Sequence, residues 1–160
     1  MPELELYRGT VRPEWVDYNG HLRDAYYMLI FSFATDALIE RIGLDAATRS
    51  ARKRSLFTLE AHINYLHETR LGAQLRIAAR PIAHDAKRLH LYLEMFADAR
   101  SDPVAASEQM LLHVDTGGPH AVAFDPDVAA RVQAFAHACA ALPPAQYAGR
   151  TIALPPARRA

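Results

Sequence analysis

Within five positions, Asp17-Tyr18-Asn19-Gly20-His21, the chain collects a carboxylate, an amide, a glycine and an imidazole. A carboxylate so placed can attack a carbonyl carbon, or take a proton from a water that does. Asn19-Gly20 is a turn pair, since both residues tolerate positive φ. An aspartate at such a turn can also serve simply to bond its own backbone, so residue type alone leaves both roles open for Asp17. Directly after the loop comes the most apolar helical stretch of the sequence. A helix start offers unpaired N–H groups and a positive dipole end. The backbone of residues 20–24 lies where those donors would meet a developing oxyanion. One such donor is typically worth about 3–4 kcal/mol in a transition state. Asn19 and His21 read as groups that orient the loop.

The elements that must hold this loop follow from periodicity. Leu4, Leu6 and Val11 mark a first strand that Pro13 ends. Asp24 is an N-cap or first-turn acid of the helix beyond it. Tyr27, Ile30, Phe31, Ala34, Leu38 and Ile42 keep helical spacing, and Tyr26, Met28, Leu29 and Phe33 widen the stripe almost to the full circumference. The spacing predicts a rod of about twenty residues, near 30 Å long, wrapped on all sides and closed by Gly43. Residues 45–54 form a polar connection. From Leu56 the period becomes two: Phe57, Leu59, Ala61, Ile63 and Tyr65 point to the core, with Thr58, Glu60, His62 and Asn64 opposite. Further strands carry Leu75, Ile77 and Ala79, then Leu89, Leu91, Leu93 and Met95, then residues 104–114. The short connections between them make consecutive antiparallel hairpins.

Gly117-Gly118-Pro119 ends the sheet, and residues 127–142 form a last amphipathic helix stopped by Pro143-Pro144. The reading is one α+β domain over residues 1–142, a curved antiparallel sheet wrapped around one long central helix, followed by a loose, Pro-rich tail over 143–160. Glu60, His62, Asn64, His90, Tyr92 and Glu94 make the outer sheet face mixed, suited to a further layer from a second protomer. Glu60 and His62 share that face as a polar interface patch, or as a second acid/base pair.

Composition narrows the partners. Hydrophobic residues make up 51% and charged ones 22% of the 160, which excludes a disordered chain. Eighteen basic residues balance eighteen acidic ones, so no net field draws the protein to nucleic acid or an anionic membrane. The apolar run 25–34 is too short to span a bilayer, and the start does not read as a signal peptide. The single cysteine, Cys139, has no internal partner and sits in an apolar helix as a packing residue, which suits a reducing cytoplasm. The eight histidines show no ligand spacing, and H-E-x-x-H, C-x-x-C and G-x-S-x-G are absent. No metal and no cofactor are expected.

Asp17, then Asn19-Gly20-His21, then Tyr26 or Tyr27 at the helix entry, together with this order of elements, resembles the hotdog-fold acyl-CoA thioesterases of the 4-hydroxybenzoyl-CoA thioesterase type. The blocks R-G-T-V-R-P-E-W-V-D-Y-N-G-H, K-R-L-H-L and E-Q-M-L-L-H-V-D are most similar to the betainyl-CoA thioesterases of carnitine breakdown, some of which are fused to a carnitine dehydrogenase. The similarity covers residues 4–142. It departs after the histidine, where many relatives carry Asn or small polar residues and this chain has Arg23-Asp24.

The resemblance implies a hotdog fold, a homodimer or homotetramer, and hydrolysis of an acyl-CoA ester, with coenzyme A entering only as part of the substrate. Asp17 would be nucleophile or general base, with Asn19, Gly20 and His21 completing the catalytic loop. Trp15, Tyr18, Tyr26 and Tyr27 cluster round the loop and suit a quaternary ammonium, held by cation–π attraction, as well as they suit an aromatic acyl group or plain core packing. Arg54, in the run Arg52-Lys53-Arg54, and the pair Lys87-Arg88 are the basic clusters open to the phosphates, or else solvated charge runs. The alternatives are a non-catalytic acyl-CoA-binding hotdog module and an enoyl-CoA hydratase-type enzyme, whose usual Asp/His arrangement is not seen.

Overall fold

A single antiparallel sheet is the frame on which every other element of the computed structural model, described over residues 4–156, is hung. Its strands are β1 (Leu4–Thr10), β2 (Arg54–Tyr65), β3 (Gln74–His84), β4 (Arg88–Ala97), β5 (Ala105–Asp115) and the two-residue β6 (His120–Ala121). They run in the order β1-β3-β4-β5-β2, with β6 added to β5. β3, β4 and β5 follow one another through short connections, as the alternating pattern predicted. The expected hairpin between β2 and β3 does not form: β2 crosses over to the outer edge and pairs with β5, while β1 takes the place beside β3.

Helix α1 (Asp24–Arg41) crosses one face of this sheet. Ile30, Phe31, Ala34 and Leu38 are fully buried against Ile77, Leu89, Leu91, Leu93, Met95 and Leu111. Gly43, at φ +95°, ends the helix, and Asp24 sits in the first turn while Arg23 takes the cap position. The helix is 18 residues long, and it is not wrapped all round. Leu29 and Phe33 are each 37% exposed, because the sheet covers one side of the rod and, among the described residues, the other side receives only partial cover, such as the Tyr7 and Trp15 rings against Phe33.

The polar connection after α1 contains a short helix, α2 (Ala46–Arg52), that the hydrophobic pattern could not reveal, since none of its residues is buried. Its signal is the cap: the Asp45 carboxylate accepts from Thr48 N at 2.8 Å. The last helix, α3 (Pro126–Cys139), begins with proline in its first turn and packs Val128 and Val132 into the same core.

In β2 the expected inward row breaks at a bulge. Phe57 pairs with Leu112 and Thr58 with Leu111, but Glu60 pairs with Met110, leaving Leu59 as the extra residue. One extra residue exchanges the two faces. Leu56 therefore points inward and Phe57 outward, while beyond the bulge Ala61, Ile63 and Tyr65 regain the inner side. Phe57, Leu59 and Tyr65 remain 44%, 54% and 53% exposed at this open edge.

The outer face is covered from within the chain. Residues 143–149, expected to begin a loose tail, lie along it: Arg80 donates to Pro143 O at 2.5 Å, and Gly149 N donates to the Glu108 carboxylate at 2.6 Å. Tyr92 is buried in that layer, with Arg80 over its ring. His90 and Glu108 pair at 2.6 Å beside it.

Candidate active site

The loop that carries Asp17 is a small hairpin. Asp17 N donates to His21 O at 2.8 Å and Gly20 N to Asp17 O at 3.0 Å. Val16 and Leu22 bridge across it. Gly20 adopts φ +75°, the left-handed conformation a side chain resists. A second segment, residues 66–73 after β2, locks the hairpin from the other side. Leu22 N donates to Thr69 O at 2.7 Å and Leu71 N to Gly20 O at 3.0 Å. Arg23 N donates to Trp15 O at 3.0 Å, and α1 starts there.

One oxygen of the Asp17 carboxylate belongs to this turn. Oδ1 accepts from Asn19 N at 2.8 Å and from His21 N at 3.1 Å. Oδ2 meets no hydrogen-bond donor among the described residues. The His21 amide, helped by the Asn19 amide and by the charges of His21 and Arg23, holds the carboxyl below its ordinary 3.8 against a smaller opposing effect of burial. The group is a carboxylate at neutral pH, with one oxygen fixed and one available. His21 Nε2 lies 3.3 Å from Glu68 Oε2, close enough for an ion pair but misaligned for a hydrogen bond.

Asp17 and His21 open onto a groove of about 360 Å³, also lined by Asp24, Tyr27, Tyr65, His67 and Glu68. Tyr27 and Tyr65 meet edge to face with centroids 5.2 Å apart. The Tyr65 hydroxyl donates to Asp24 O at 3.1 Å, which ties the ring to the first turn of α1. Burial raises both phenols above their ordinary 10, so both are neutral donors.

The expected row of open N–H groups is mostly engaged. Gly20, His21, Leu22 and Arg23 all donate within the loop or to its clamp. Of residues 20–24, Asp24 alone keeps an N–H with no acceptor among the described residues. It is the first residue of α1 and it lines the groove.

The other sequence candidates divide. Tyr27 is in the groove. Trp15 is buried, stacked on Tyr26 at 6.2 Å and covered by the Arg12 guanidinium at 5.0 Å, so both rings are packing elements and do not line the groove. Tyr18 is 93% exposed and is not among the lining residues. Arg54 is held by Asp115 and Asp125 at the far end of β2 from Tyr65. Arg88 is paired with Asp85 in the turn before β4, beside Lys87. Those three basic residues are therefore remote from the groove within one chain. Arg23 and Arg70, each exposed, flank the loop instead.

Tyr65, Glu68 and Thr69 were missed as site residues, because only the fold brings residues 65–69 against residue 21. Glu60 and His62 border a cleft on the outer face with His90 and Glu108. A larger cleft, about 480 Å³, lies between the end of β3, α3 and residues 142–148. It offers Arg80 and Cys139 but no carboxylate. Among the described residues no His, Cys, Asp and Glu cluster could hold a metal ion.

The chain is 51% identical to a betainyl-CoA thioesterase of Pseudomonas aeruginosa over 97% of its own length and 98% of that protein's. It is 42% identical over 123 residues to an L-carnitine dehydrogenase/betainyl-CoA thioesterase of Agrobacterium fabrum, of which it spans 25%. A crystal structure from Pseudomonas putida KT2440 superposes with TM-score 0.86 at 50% identity, covering 97% of this chain and 99% of that one. A Staphylococcus aureus protein solved in complex with CoA superposes with TM-score 0.89 at 27% identity, covering 97% and 98%. The family model of the thioesterase-like superfamily matches residues 11–132, and the chain belongs to that superfamily.

Proposed function

We propose that the protein hydrolyses an acyl-CoA thioester, with betainyl-CoA as its substrate, releasing betaine and free CoA. The observation that carries this reading is the divided Asp17 carboxylate, one oxygen fixed by two amides and the other open to a groove at the start of α1. The thioester carbonyl lies in the groove with its carbon facing Asp17 Oδ2. On one route Asp17 attacks that carbon and the CoA sulfur leaves as thiolate, after which a water cleaves the Asp17–acyl anhydride to give betaine and the free carboxylate. On the other route Asp17 draws a proton from a water that attacks the carbon directly, the C–S bond breaks and the thiolate takes up that proton. The Asp24 N–H, at the positive end of α1, receives the developing oxyanion. His21 and Asn19 act through their backbone N–H groups, which keep Asp17 ionised and aimed. The name of the 51% identical relative supports betaine as the acyl group.

The active form is a homodimer or homotetramer built from the open β2 edge and the uncovered side of α1. A twofold pairing of β2 strands sets the Arg54 end of one beside the Tyr65 end of the other, which returns basic side chains to the groove. Thiol release from a panel of purified CoA esters tests the activity, and betainyl-CoA is expected to have the highest kcat/KM. Absence of turnover with every ester, alongside measurable binding of CoA esters, would replace the enzyme by a binding module.

A further inference from the structure

In a betainyl ester a single methylene separates the reacting carbonyl from the ammonium. The nitrogen therefore lies only about 2.5 Å from the carbonyl carbon, as in any N–C–C unit. No remote pocket can read that charge. Whatever distinguishes the cation must line the same groove as Asp17.

Of the aromatic residues near the loop in sequence, Tyr27 lines the groove but is only 4% exposed, and the others do not line it. Trp15 already has Arg12 over its face and Tyr26 against it, and Tyr18 points to solvent. Tyr65 meets the condition. Its ring lines the groove and stands against Tyr27 at 86° between planes. Its hydroxyl is fastened to Asp24 O at 3.1 Å, on the residue whose N–H is open. The ring is thus tied at one end and half-exposed. Glu68 lines the same groove with most of its carboxylate exposed, 3.3 Å from His21. An aromatic face and a carboxylate around one cavity favour a cation over a neutral group of equal shape.

We propose that Tyr65, seconded by Glu68, is the specificity-determining element of the groove and selects acyl groups that carry a quaternary ammonium next to the carbonyl. This rests on the thioesterase reading above. It adds that charge, beyond size, decides the substrate, and that the deciding ring comes from the end of β2, away from the catalytic loop.

The test compares betainyl-CoA with 3,3-dimethylbutanoyl-CoA, in which carbon replaces the nitrogen and the shape is kept. The ratio of their kcat/KM values is measured for the wild-type chain and for Tyr65→Phe, Tyr65→Leu and Glu68→Gln. Tyr65→Phe keeps the ring and should keep the ratio within about twofold. Tyr65→Leu should lower it by about tenfold, and Glu68→Gln by a smaller factor. A ratio that Tyr65→Leu leaves unchanged overturns the inference, and so does a loss in Tyr65→Phe equal to that in Tyr65→Leu. Calorimetric binding of the same two esters to Asp17→Asn, with and without Tyr65→Leu, reads the selectivity without turnover. If no ester is hydrolysed by the wild type, the thioesterase reading falls, while tighter, Tyr65-dependent binding of the cationic ester still upholds this inference.

Discussion

Because two amides hold one oxygen of Asp17 and leave the other without a donor, its two obvious substitutions separate the turn from the proposed chemistry. Asparagine keeps an oxygen that can accept from Asn19 N and His21 N, and loses the charge. Asp17→Asn should therefore leave the melting temperature within a degree or two and lower kcat/KM by about 10²–10⁴-fold. Asp17→Ala removes the turn bonds as well and should lower both. The pH dependence has a definite sign. Hydrogen bonds from the His21 and Asn19 amides depress the folded pKa below 3.8, so the active carboxylate persists on acidification. The acid limb of kcat/KM should lie below pH 4, and a limb near pH 6 would assign the essential base to a histidine. The contiguous residues Asp17, Asn19, Gly20 and His21 were legible in the sequence because a turn is a local object. Tyr65 and Glu68 were not, since what brings them to His21 is the pairing of residues 69–71 with residues 20–22. The basic runs are read differently within one chain. Arg54 and Arg88 have acids of their own, Asp115 and Asp85, and a run of charge does not disclose its partners.

At the scale of elements, α1 was legible as to existence, place and end, and misread as to its surroundings. A helical stripe wide enough to cover the circumference says that many residues are apolar, without saying how many the same chain buries. Phe31 and Phe33 measure the difference. Phe31 is fully buried under the sheet, and Phe31→Ala should cost about 3–5 kcal/mol in denaturant unfolding, by lost transfer energy and the cavity left behind. Phe33 is 37% exposed, stacked loosely on Tyr7 at 6.0 Å, and Phe33→Ala should cost well under half of that for the isolated chain. Equal losses would mean that the outer side of α1 is buried in solution. β2 carries the complementary lesson. Its alternation is clean in the sequence, yet one extra residue at Leu59 reverses the phase for everything before it. Nothing at Leu59 announces a bulge, because the signal is the pairing count against β5.

For the molecule as a whole, the two sheet faces are closed by different means, and this sets what remains open. The inner face is filled by α1 and α3. The outer face, expected to await a second protomer, receives residues 143–149 of the same chain, with Tyr92 buried beneath. Burial, with Glu94 beside it, pushes the Tyr92 phenol well above its ordinary 10. Above pH 10 the unfolded chain releases that proton while the folded chain retains it, so stability must fall as pH rises through this range. Tyr92→Phe should flatten that alkaline decline, measured as melting temperature between pH 8 and 11. What stays uncovered is the β2 edge together with Leu29 and Phe33. A strand of 12 residues with an open edge is a template for pairing with another chain. Twofold antiparallel pairing places the middle of β2 against itself. Ala61→Lys, exposed and near that middle, would set two like charges close to the axis, which antiparallel pairs resist. In sedimentation the wild type should exceed the 17.8 kDa of one chain at least twofold, and Ala61→Lys should return it to the single-chain mass. Because the pairing also brings the basic end of one β2 to the groove of the other, turnover should fall with the mass while the far-ultraviolet circular dichroism stays the same. An unchanged mass in Ala61→Lys would move the interface away from this edge.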